Sequence, residues 1–188
     1  MRDGAPTRER IDRKAMELFV FQGVSETTVR DIAGASGIAE GALYRHYRGK
    51  DELILALFER HYAAFAERLE GLQAARHGTL EKLRAMIAEC ARVFDADPVL
   101  FQFLLLVQHH SLHRIDGGRD TPVEVLRRVV AEGMAKGEIP KRDPDLAAGF
   151  VLGIIVQIAT FKTYGRLPGP MTPLAENLTA ACWRALQA

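Results

Sequence analysis

Residues 28–50 constrain this chain more than any other segment, because their turn signals fit two short helices joined by a tight turn. Thr28 and Asp31 have the spacing of a capping box, in which each side chain binds the other residue's backbone N–H. Gly37 follows where the chain must turn sharply, at a position that suits a left-handed residue without a Cβ. The pattern predicts a helix-turn-helix.

The second short helix of this motif carries polar groups on its outer side. Ile38 and Leu43 supply apolar contacts, whereas Tyr44, Arg45 and His46 place a phenol, a guanidinium and an imidazole together. Such groups bind phosphates and base edges in DNA. The alternative is an ordinary helical hairpin with a solvated polar face, and this pattern alone leaves that alternative open.

The same residues resemble the DNA-binding domain of the TetR/AcrR family of transcriptional regulators. The family pattern runs T-x-x-x-I-A, A-G-(V/I), G-x-L-Y-x-(H/Y)-(F/Y) and K-(D/E)-x-L. Its counterparts here are Thr28, Ile32, Ala33, Ser36-Gly37-Ile38, Gly41 to Tyr47 and Lys50 to Leu53. The match covers about the first quarter of the chain and is specific as a combined pattern. The chain departs from many relatives at Ala39 and Glu40, where they have Ser and Lys.

The resemblance implies a set of DNA contacts. Arg30 and Arg45 are expected to bind bases, whereas Thr28, His46 and Lys50 are expected to bind phosphates. A lysine at a helix N-terminus opposes the helix dipole, so the position of Lys50 also indicates a nearby anion. Leu43 and Tyr47 are expected in the core. The full set of expected DNA-binding residues is Thr28, Arg30, Ala39, Glu40, Gly41, Ala42, Tyr44, Arg45, His46 and Lys50.

The charge balance gives the chain no general affinity for DNA. The net charge is only +1 in 188 residues, so binding must depend on local cations. Cys90 and Cys182 form no motif; two buried thiols are expected, with a disulfide as the open alternative. The short polar N-terminus lacks a signal-peptide pattern, and the protein is expected in the cytoplasm.

Helix start and stop signals divide the rest of the chain, and no segment alternates like a strand. The predicted fold is all-α with about nine helices. It comprises an N-terminal three-helix helix-turn-helix DNA-binding domain, residues 1–50, and a C-terminal helical effector-binding and dimerisation domain, residues 51–188. Thr7 is expected to begin the first helix and Gly23 to end it. Further starts are predicted at Lys50, Gly78-Thr79, Pro98, Thr121-Pro122, Asp143-Pro144 and Thr172-Pro173.

Residues 146–161 are apolar almost all round, and such a helix must be covered on every side. A membrane span needs about 20 such residues, so no membrane contact is predicted. Either this is the central helix of a monomer or a second subunit covers one face. The resemblance implies a homodimer on a near-palindromic operator. Its expected interface residues are Gly149, Gly153, Leu178, Cys182 and Trp183.

Aromatic and aliphatic residues with few polar groups mark the middle of the chain. This composition suits an apolar small-molecule pocket, although it also fits plain core. The resemblance implies a cavity in the C-terminal domain and a small, mainly apolar effector that releases the protein from DNA. The expected lining is Phe94, Phe101, Leu104, Leu105, Gln108, His109, Phe150, Ile154, Gln157 and Phe161.

A histidine cluster lies next to this apolar set. His109 and His113 are four residues apart, a spacing at which two imidazoles can share a metal. No acidic residue or cysteine adjoins them to complete a site. Together with His110 they are expected to form a polar end of the pocket or a solvated helix end, and no metal or cofactor is predicted.

The function classes that remain are few. The sequence has no G-x-S-x-G, no phosphate-binding glycine loop, no H-E-x-x-H and no cysteine beside a base, so only a site assembled from distant residues would make it an enzyme. The resemblance implies a ligand-responsive transcriptional regulator, most simply a repressor. A DNA-binding dimer without a ligand is the remaining alternative.

Overall fold

The computed structural model describes residues 4–111 and 121–188, and within these ranges the fold is all-α, as predicted. It contains nine α-helices and, before the last of them, a 3-10 turn, Thr172–Leu174. The helices are α1 Gly4–Gln22, α2 Val29–Ala35, α3 Glu40–Leu43, α4 Lys50–Ala74, α5 Thr79–Ala96, α6 Pro98–Ser111, α7 Pro122–Ala135, α8 Pro144–Thr163 and α9 Ala175–Gln187.

Local capping signals account for most of the helix boundaries. The Thr121 hydroxyl accepts the Glu124 N–H at the start of α7, and the Asp143 carboxylate accepts two N–H groups at the start of α8. Gly23, which follows α1, has φ 94° and confirms the predicted end of that helix. These boundaries are determined by residues within a few positions of each helix end.

The predicted start of α1 at Thr7 is wrong. The helix begins at Gly4, which places Thr7 and Pro6 inside its first two turns. Proline is compatible with this position because the first N–H groups of a helix have no acceptor within the helix. A capping threonine is therefore not needed to begin α1.

The described residues form two compact units. The first unit contains residues 4–61 and 99–111, and the second unit contains residues 62–98 and 121–188. The continuous helix α4 contributes its N-terminal half to the first unit and its C-terminal half to the second. The functional division at residues 50 and 51 stays a prediction.

The first unit is built on the apolar face of α1. Ile11, Ala15 and Phe19 are completely buried, and the Phe19 ring stacks on Phe103 of α6 with centroids 6.1 Å apart. Helix α2 packs on α1 and on α3. Four further buried residues, from α2, α3 and α4, complete this core: Ile32, Leu43, Leu53 and Leu57.

The second unit packs α5 against α7 and α9, and α8 against α7 and α9. Gly133 allows the closest approach: a Cβ there would lie 2.2 Å from the Thr79 hydroxyl oxygen. The Asp95 carboxylate accepts the Met171 and Thr172 N–H groups at the 3-10 turn before α9. Interior packing and this hydrogen-bonded turn therefore both hold the helices of the second unit together.

Helix α8 is the one helix in the described ranges that is long and apolar enough to cross a membrane. It has 20 residues, and an 18-residue stretch of it has a mean hydropathy of 1.7 and is one-third buried. The core helix of a soluble protein meets the same criteria, and α8 packs on α7 and α9. Length and composition are therefore weak evidence for a membrane span here.

Candidate nucleic-acid interface

The capping box at the start of α2 is confirmed. The Asp31 N–H donates to the Thr28 hydroxyl oxygen at 3.1 Å, and the Asp31 carboxylate accepts the Thr28 N–H at 2.9 Å. The Thr28 hydroxyl also donates to that carboxylate at 2.6 Å. Hydrogen bonds from the hydroxyl and N–H of Thr28 lower the pKa of Asp31, so the acid stays ionised at neutral pH.

The turn between α2 and α3 confirms the role of glycine. Gly37 has φ 63°, and the Ile38 N–H donates to the Ala33 carbonyl at 3.1 Å. Ala33 is 2% exposed, so a small residue lies where the helices meet. The Arg10 Nε of α1 donates to the Ser36 carbonyl at 2.8 Å and holds the end of α2.

Residues 40–46, the recognition segment, are wound more tightly than the predicted second helix. The α-helix ends at Leu43, and the next turns use bonds three residues apart: Arg45 N–H to the Ala42 carbonyl and His46 N–H to the Leu43 carbonyl. Ala39, at the N-cap, makes no side-chain capping bond. Short helices often continue as 3-10 turns, because the tighter winding satisfies terminal carbonyls.

The recognition segment separates an inner from an outer side as predicted. Leu43 and Tyr47 are buried, at 0% and 2% exposure, whereas Tyr44 is 51% exposed. Arg45 is also exposed, and His46 is half-buried. The phenol, the guanidinium and the imidazole are therefore all accessible to a ligand.

All ten predicted DNA-binding residues are accessible. Ala42, His46 and Lys50 are half-buried, and the other seven are exposed. Within residues 4–111 and 121–188, the guanidinium groups of Arg30 and Arg45 form no hydrogen bond or ion pair. Arg45 can therefore bind a base edge without first breaking an internal contact, and Arg30 has only the charge of the neighbouring Asp31 beside it.

Lys50 has an internal role that sequence analysis missed. Its Nζ donates to the Val24 carbonyl at 2.8 Å and to the Thr27 carbonyl at 2.9 Å, which ties the start of α4 to the α1–α2 loop. These carbonyls account for a cation at the helix N-terminus without any external anion. An ammonium has three donors, so one N–H remains for a phosphate.

A polar cluster around the buried Asp12, near the recognition segment, was also missed. The Tyr47 hydroxyl donates to the Asp12 carboxylate at 2.6 Å, and the Arg60 guanidinium pairs with the same carboxylate. Burial and the bond to Asp12 raise the pKa of Tyr47, so its hydroxyl remains a donor. An acid beside the buried Ile11 was the available sequence signal, because charged residues are rarely buried without a partner.

The predicted effector-lining residues are divided between the units. Phe101, Leu104 and Leu105 belong to the first unit, whereas Phe94, Phe150, Ile154, Gln157 and Phe161 belong to the second. Phe94 and Phe101 are buried, and Gln157 is exposed on α8. The side chains of Gln108, His109 and His110, and all of His113, lie outside the described residues. The predicted lining stays a prediction.

The predicted interface residues separate into two groups. Gly149 and Gly153 are exposed on α8, and Trp183 of α9 is half-buried. Leu178 and Cys182 instead lie in the core of the second unit, at 5% and 0% exposure, where α9 packs on α5 and α8. The side chains of Leu178 and Cys182 are thus covered by their own chain, and the predicted dimer interface stays a prediction.

Comparisons with known proteins agree with this geometry. The family model described as bacterial regulatory proteins, tetR family, matches residues 11–57, and the model described as tetracyclin repressor-like, C-terminal domain, matches residues 76–170. The HTH-type transcriptional regulator SrpR of Pseudomonas putida is 29% identical over 159 residues, which are 79% of this chain and 71% of that protein.

A further relative is a regulator of fatty acid metabolism, and a solved structure of similar fold is a complex with stearoyl-CoA. The fatty acid metabolism regulator protein of Bacillus subtilis is 25% identical over 165 residues, which are 85% of each chain. The crystal structure of the regulator FadR from Bacillus subtilis in complex with stearoyl-CoA matches with a TM-score of 0.75 and 21% identity, over 93% of this chain and 96% of that one. SrpR and FadR are transcriptional regulators. The chain belongs to the TetR/AcrR family of transcriptional regulators.

Proposed function

We propose that the protein is a ligand-responsive repressor that binds a near-palindromic operator as a homodimer. The observation that carries this proposal is the accessible polar side of the recognition segment, which is mounted on a capped helix-turn-helix. Arg45 projects from it with no internal partner in the described residues. A guanidinium in this state can bind guanine O6 and N7 together in the major groove.

The proposed DNA contacts divide by chemistry. Arg30 and Arg45 bind base edges, whereas His46 and the remaining Lys50 donor bind phosphates. Gly41 and Ala42 allow close approach to the groove, and the other proposed neighbours of DNA are Ala39, Glu40 and Tyr44. The Thr28 hydroxyl already donates to Asp31, so a phosphate would have to replace that bond.

The exposed face of α8 supports the dimer. Leu146 is 52% exposed, and Gly149, Gly153 and Gln157 follow it on one side of the helix. A built Cβ at either glycine would contact nothing within 4 Å, so a helix from a second subunit has room to approach. Trp183 of α9, which is half-buried, is proposed to belong to the same interface. In a two-fold dimer the recognition segments would lie about 34–36 Å apart, one turn of DNA.

The proposed effector is a small, mainly apolar molecule, and a long-chain acyl-CoA is the first class to test. The fatty acid metabolism regulator and the FadR complex support this choice. To lower operator affinity a hundredfold, the effector must bind the released state about 2.7 kcal/mol more tightly. The protein is proposed to act in the cytoplasm, where its operator is.

The experiment measures binding of the purified protein to duplexes from the DNA upstream of its own gene. Fluorescence anisotropy is followed at two salt concentrations, with a scrambled duplex as control, and then during titration with stearoyl-CoA, CoA or stearate. We expect specific binding that stearoyl-CoA alone reverses. Equal affinity for both duplexes would contradict operator recognition. Specific binding that none of the three compounds changes would reject acyl-CoA as the effector.

A further inference from the structure

The first unit contains a hydrogen-bonded group that joins three of its elements, which we call the Asp12 cluster: Asp12 of α1, Tyr47 after α3, and Arg60 of α4. The Tyr47 hydroxyl donates to Asp12 Oδ1 at 2.6 Å, and Arg60 Nη1 donates to Oδ2 at 2.5 Å. Arg60 Nη2 lies 3.4 Å from the Tyr47 hydroxyl. Each member therefore touches the other two.

The cluster lies directly behind the recognition segment. Tyr47 follows His46 in the chain, and its N–H donates to the Leu43 carbonyl at 3.1 Å. The Arg8 guanidinium lies 5.4 Å from the centre of the Tyr47 ring, and its Nε donates to the Tyr47 hydroxyl. The end of the recognition segment is thus attached to α1 and α4 through one phenol.

We propose that Asp12, Tyr47 and Arg60 are positioning residues for operator recognition. They do not touch the DNA. They hold the recognition segment in the one orientation relative to α1 and α4 at which the Tyr44, Arg45 and His46 side chains meet the groove together. A bidentate contact with a base depends on such orientation, whereas attraction to phosphates depends on it much less.

The chemistry of the cluster favours this role over simple stabilisation. The Asp12 side chain is 6% exposed, and burying a carboxylate costs free energy that its partners only offset. Replacing such a group by well-packed apolar residues is often neutral or stabilising. Hydrogen bonds are directional, so a set that joins three parts of the unit permits only one arrangement of those parts. Apolar packing restricts the arrangement less strictly.

The same helix supplies a matched control. Arg68, eight residues after Arg60 on α4, pairs with the buried Glu89 of α5 at 3.0 Å. The Arg68 and Glu89 side chains are 56% and 9% exposed, against 42% and 6% for Arg60 and Asp12. This second pair belongs entirely to the second unit. Removing either arginine removes one positive charge from a buried acid; Glu89 then keeps its pair with Arg92, and Asp12 keeps the Tyr47 hydroxyl.

The test rests on the proposed function and compares Arg60→Met, Arg60→Lys, Tyr47→Phe and Arg68→Met. Operator and scrambled duplex are titrated by anisotropy, and thermal melting follows folding. We expect Arg60→Met and Tyr47→Phe to weaken operator binding about tenfold or more, and scrambled binding by less than about threefold. Arg60→Lys should restore part of the loss, and Arg68→Met should leave the operator preference unchanged.

The outcomes separate the two proposals. If the wild-type protein itself has no operator preference, the proposed function fails. If the wild type prefers its operator and Arg60→Met loses no more of that preference than Arg68→Met, the inference is wrong. If Arg60→Met melts below the assay temperature, Tyr47→Phe provides the test instead, because it retains the ring. In a folded double variant, losses from Arg60→Met and Tyr47→Phe that multiply would also contradict a single cluster.

Discussion

The two exposed surfaces proposed for recognition, the recognition segment and the outer face of α8, use opposite chemistries. In the recognition segment, long polar side chains extend from the backbone: Tyr44 is 51% exposed, and Arg45 is exposed without an internal partner in the described residues. On α8 the corresponding positions are Gly149 and Gly153, where a Cβ would meet nothing within 4 Å. One surface offers individual polar groups, and the other offers space.

This difference determines how each surface can be damaged. A surface that binds through polar side chains loses function when side chains are removed. A surface that binds by close approach of backbones loses function when side chains are added. The predictions below test this contrast, from the largest expected effect to the smallest.

The largest effect is expected where a charged side chain is added to α8. Gly153→Glu should prevent dimer formation, because a carboxylate would have to be buried without a partner. Operator affinity should fall by about 10²–10⁴, since the two linked binding sites then act separately. Sedimentation velocity and anisotropy measure both effects. The control is Gly71→Glu on α4, another exposed helical glycine with nothing within 4 Å of its Cβ position.

Removing a side chain from the recognition segment should have a smaller and selective effect. Arg45→Ala is expected to cost about 1–3 kcal/mol on the operator and to relax selectivity at one base pair. A set of single-base operator variants in the same anisotropy assay detects that relaxation. Arg76→Ala removes one exposed positive charge from the second unit and serves as the control. Equal losses on operator and scrambled duplex would contradict base recognition by Arg45.

Adding a side chain in the interior should lower stability and leave DNA binding intact. In Gly133→Ala the new methyl would lie 2.2 Å from the Thr79 hydroxyl oxygen, so the α5–α7 contact must open. Overpacking of this kind costs about 1–3 kcal/mol in the free energy of unfolding. Chemical denaturation measures it. The double variant Gly133→Ala with Thr79→Ala should recover part of the loss, and no recovery would show that the contact is not responsible.

Lys50 is expected to affect both DNA binding and stability, because it is proposed to bind phosphate and it also binds two carbonyls. Lys50→Met should leave the Val24 and Thr27 carbonyls without this donor, at a cost of about 1–2 kcal/mol in stability. Operator and scrambled duplex should weaken alike, with a smaller dependence of affinity on salt concentration. Lower stability with unchanged affinity for both duplexes would assign Lys50 a structural role only.

The helix-turn-helix could be predicted because its signals are local. Thr28 and Asp31 are three residues apart, and Gly37 alone supplies the left-handed turn. The bonds of Lys50 to the Val24 and Thr27 carbonyls and the Asp12–Arg60 pair join residues 23 to 48 positions apart. A single sequence does not identify the partners in such pairs. The sequence therefore predicted which residues of the motif are accessible but not what holds the motif together.

The second unit shows a different limit of sequence analysis. The apolar stripe of α9 correctly indicated a buried face, but it could not distinguish burial by the same chain from burial by a partner. Leu178 and Cys182 turned out to be covered within the chain. Exposure of Gly149 and Gly153, by contrast, depends on which faces of α8 its neighbours α7 and α9 cover. Core residues can be distinguished from interface residues only when the packing of several helices is known.

The smallest effect concerns a surface ion pair that joins two helices. Glu132 of α7 binds Lys136 of its own helix and Lys82 of α5. Hydrogen bonds from these two lysines, that from Lys136 being the stronger, lower the pKa of Glu132 from 4.5 to about 2. A carboxyl whose pKa is lower in the folded state stabilises the fold above the unfolded value, and this contribution is lost as the pH falls from 4.5 towards 2.

Comparing Glu132 with an acid whose partners lie on its own helix isolates the contribution of the Glu132–Lys82 pair to stability. In the first unit, Glu17 binds Arg13 and Lys14 of its own helix only, and the Lys14 hydrogen bond is the main cause of its lowered pKa. At pH 7, Glu132→Gln should lower the melting temperature more than Glu17→Gln, although solvent screening keeps even the larger loss below about 1 kcal/mol. The difference should shrink as the pH falls below 4, because the unfolded chain then takes up protons at these carboxyls, whereas Glu132 in the folded chain is still largely ionised. A difference that stays constant between pH 7 and pH 3 would mean that ionisation of Glu132 does not hold α5 to α7.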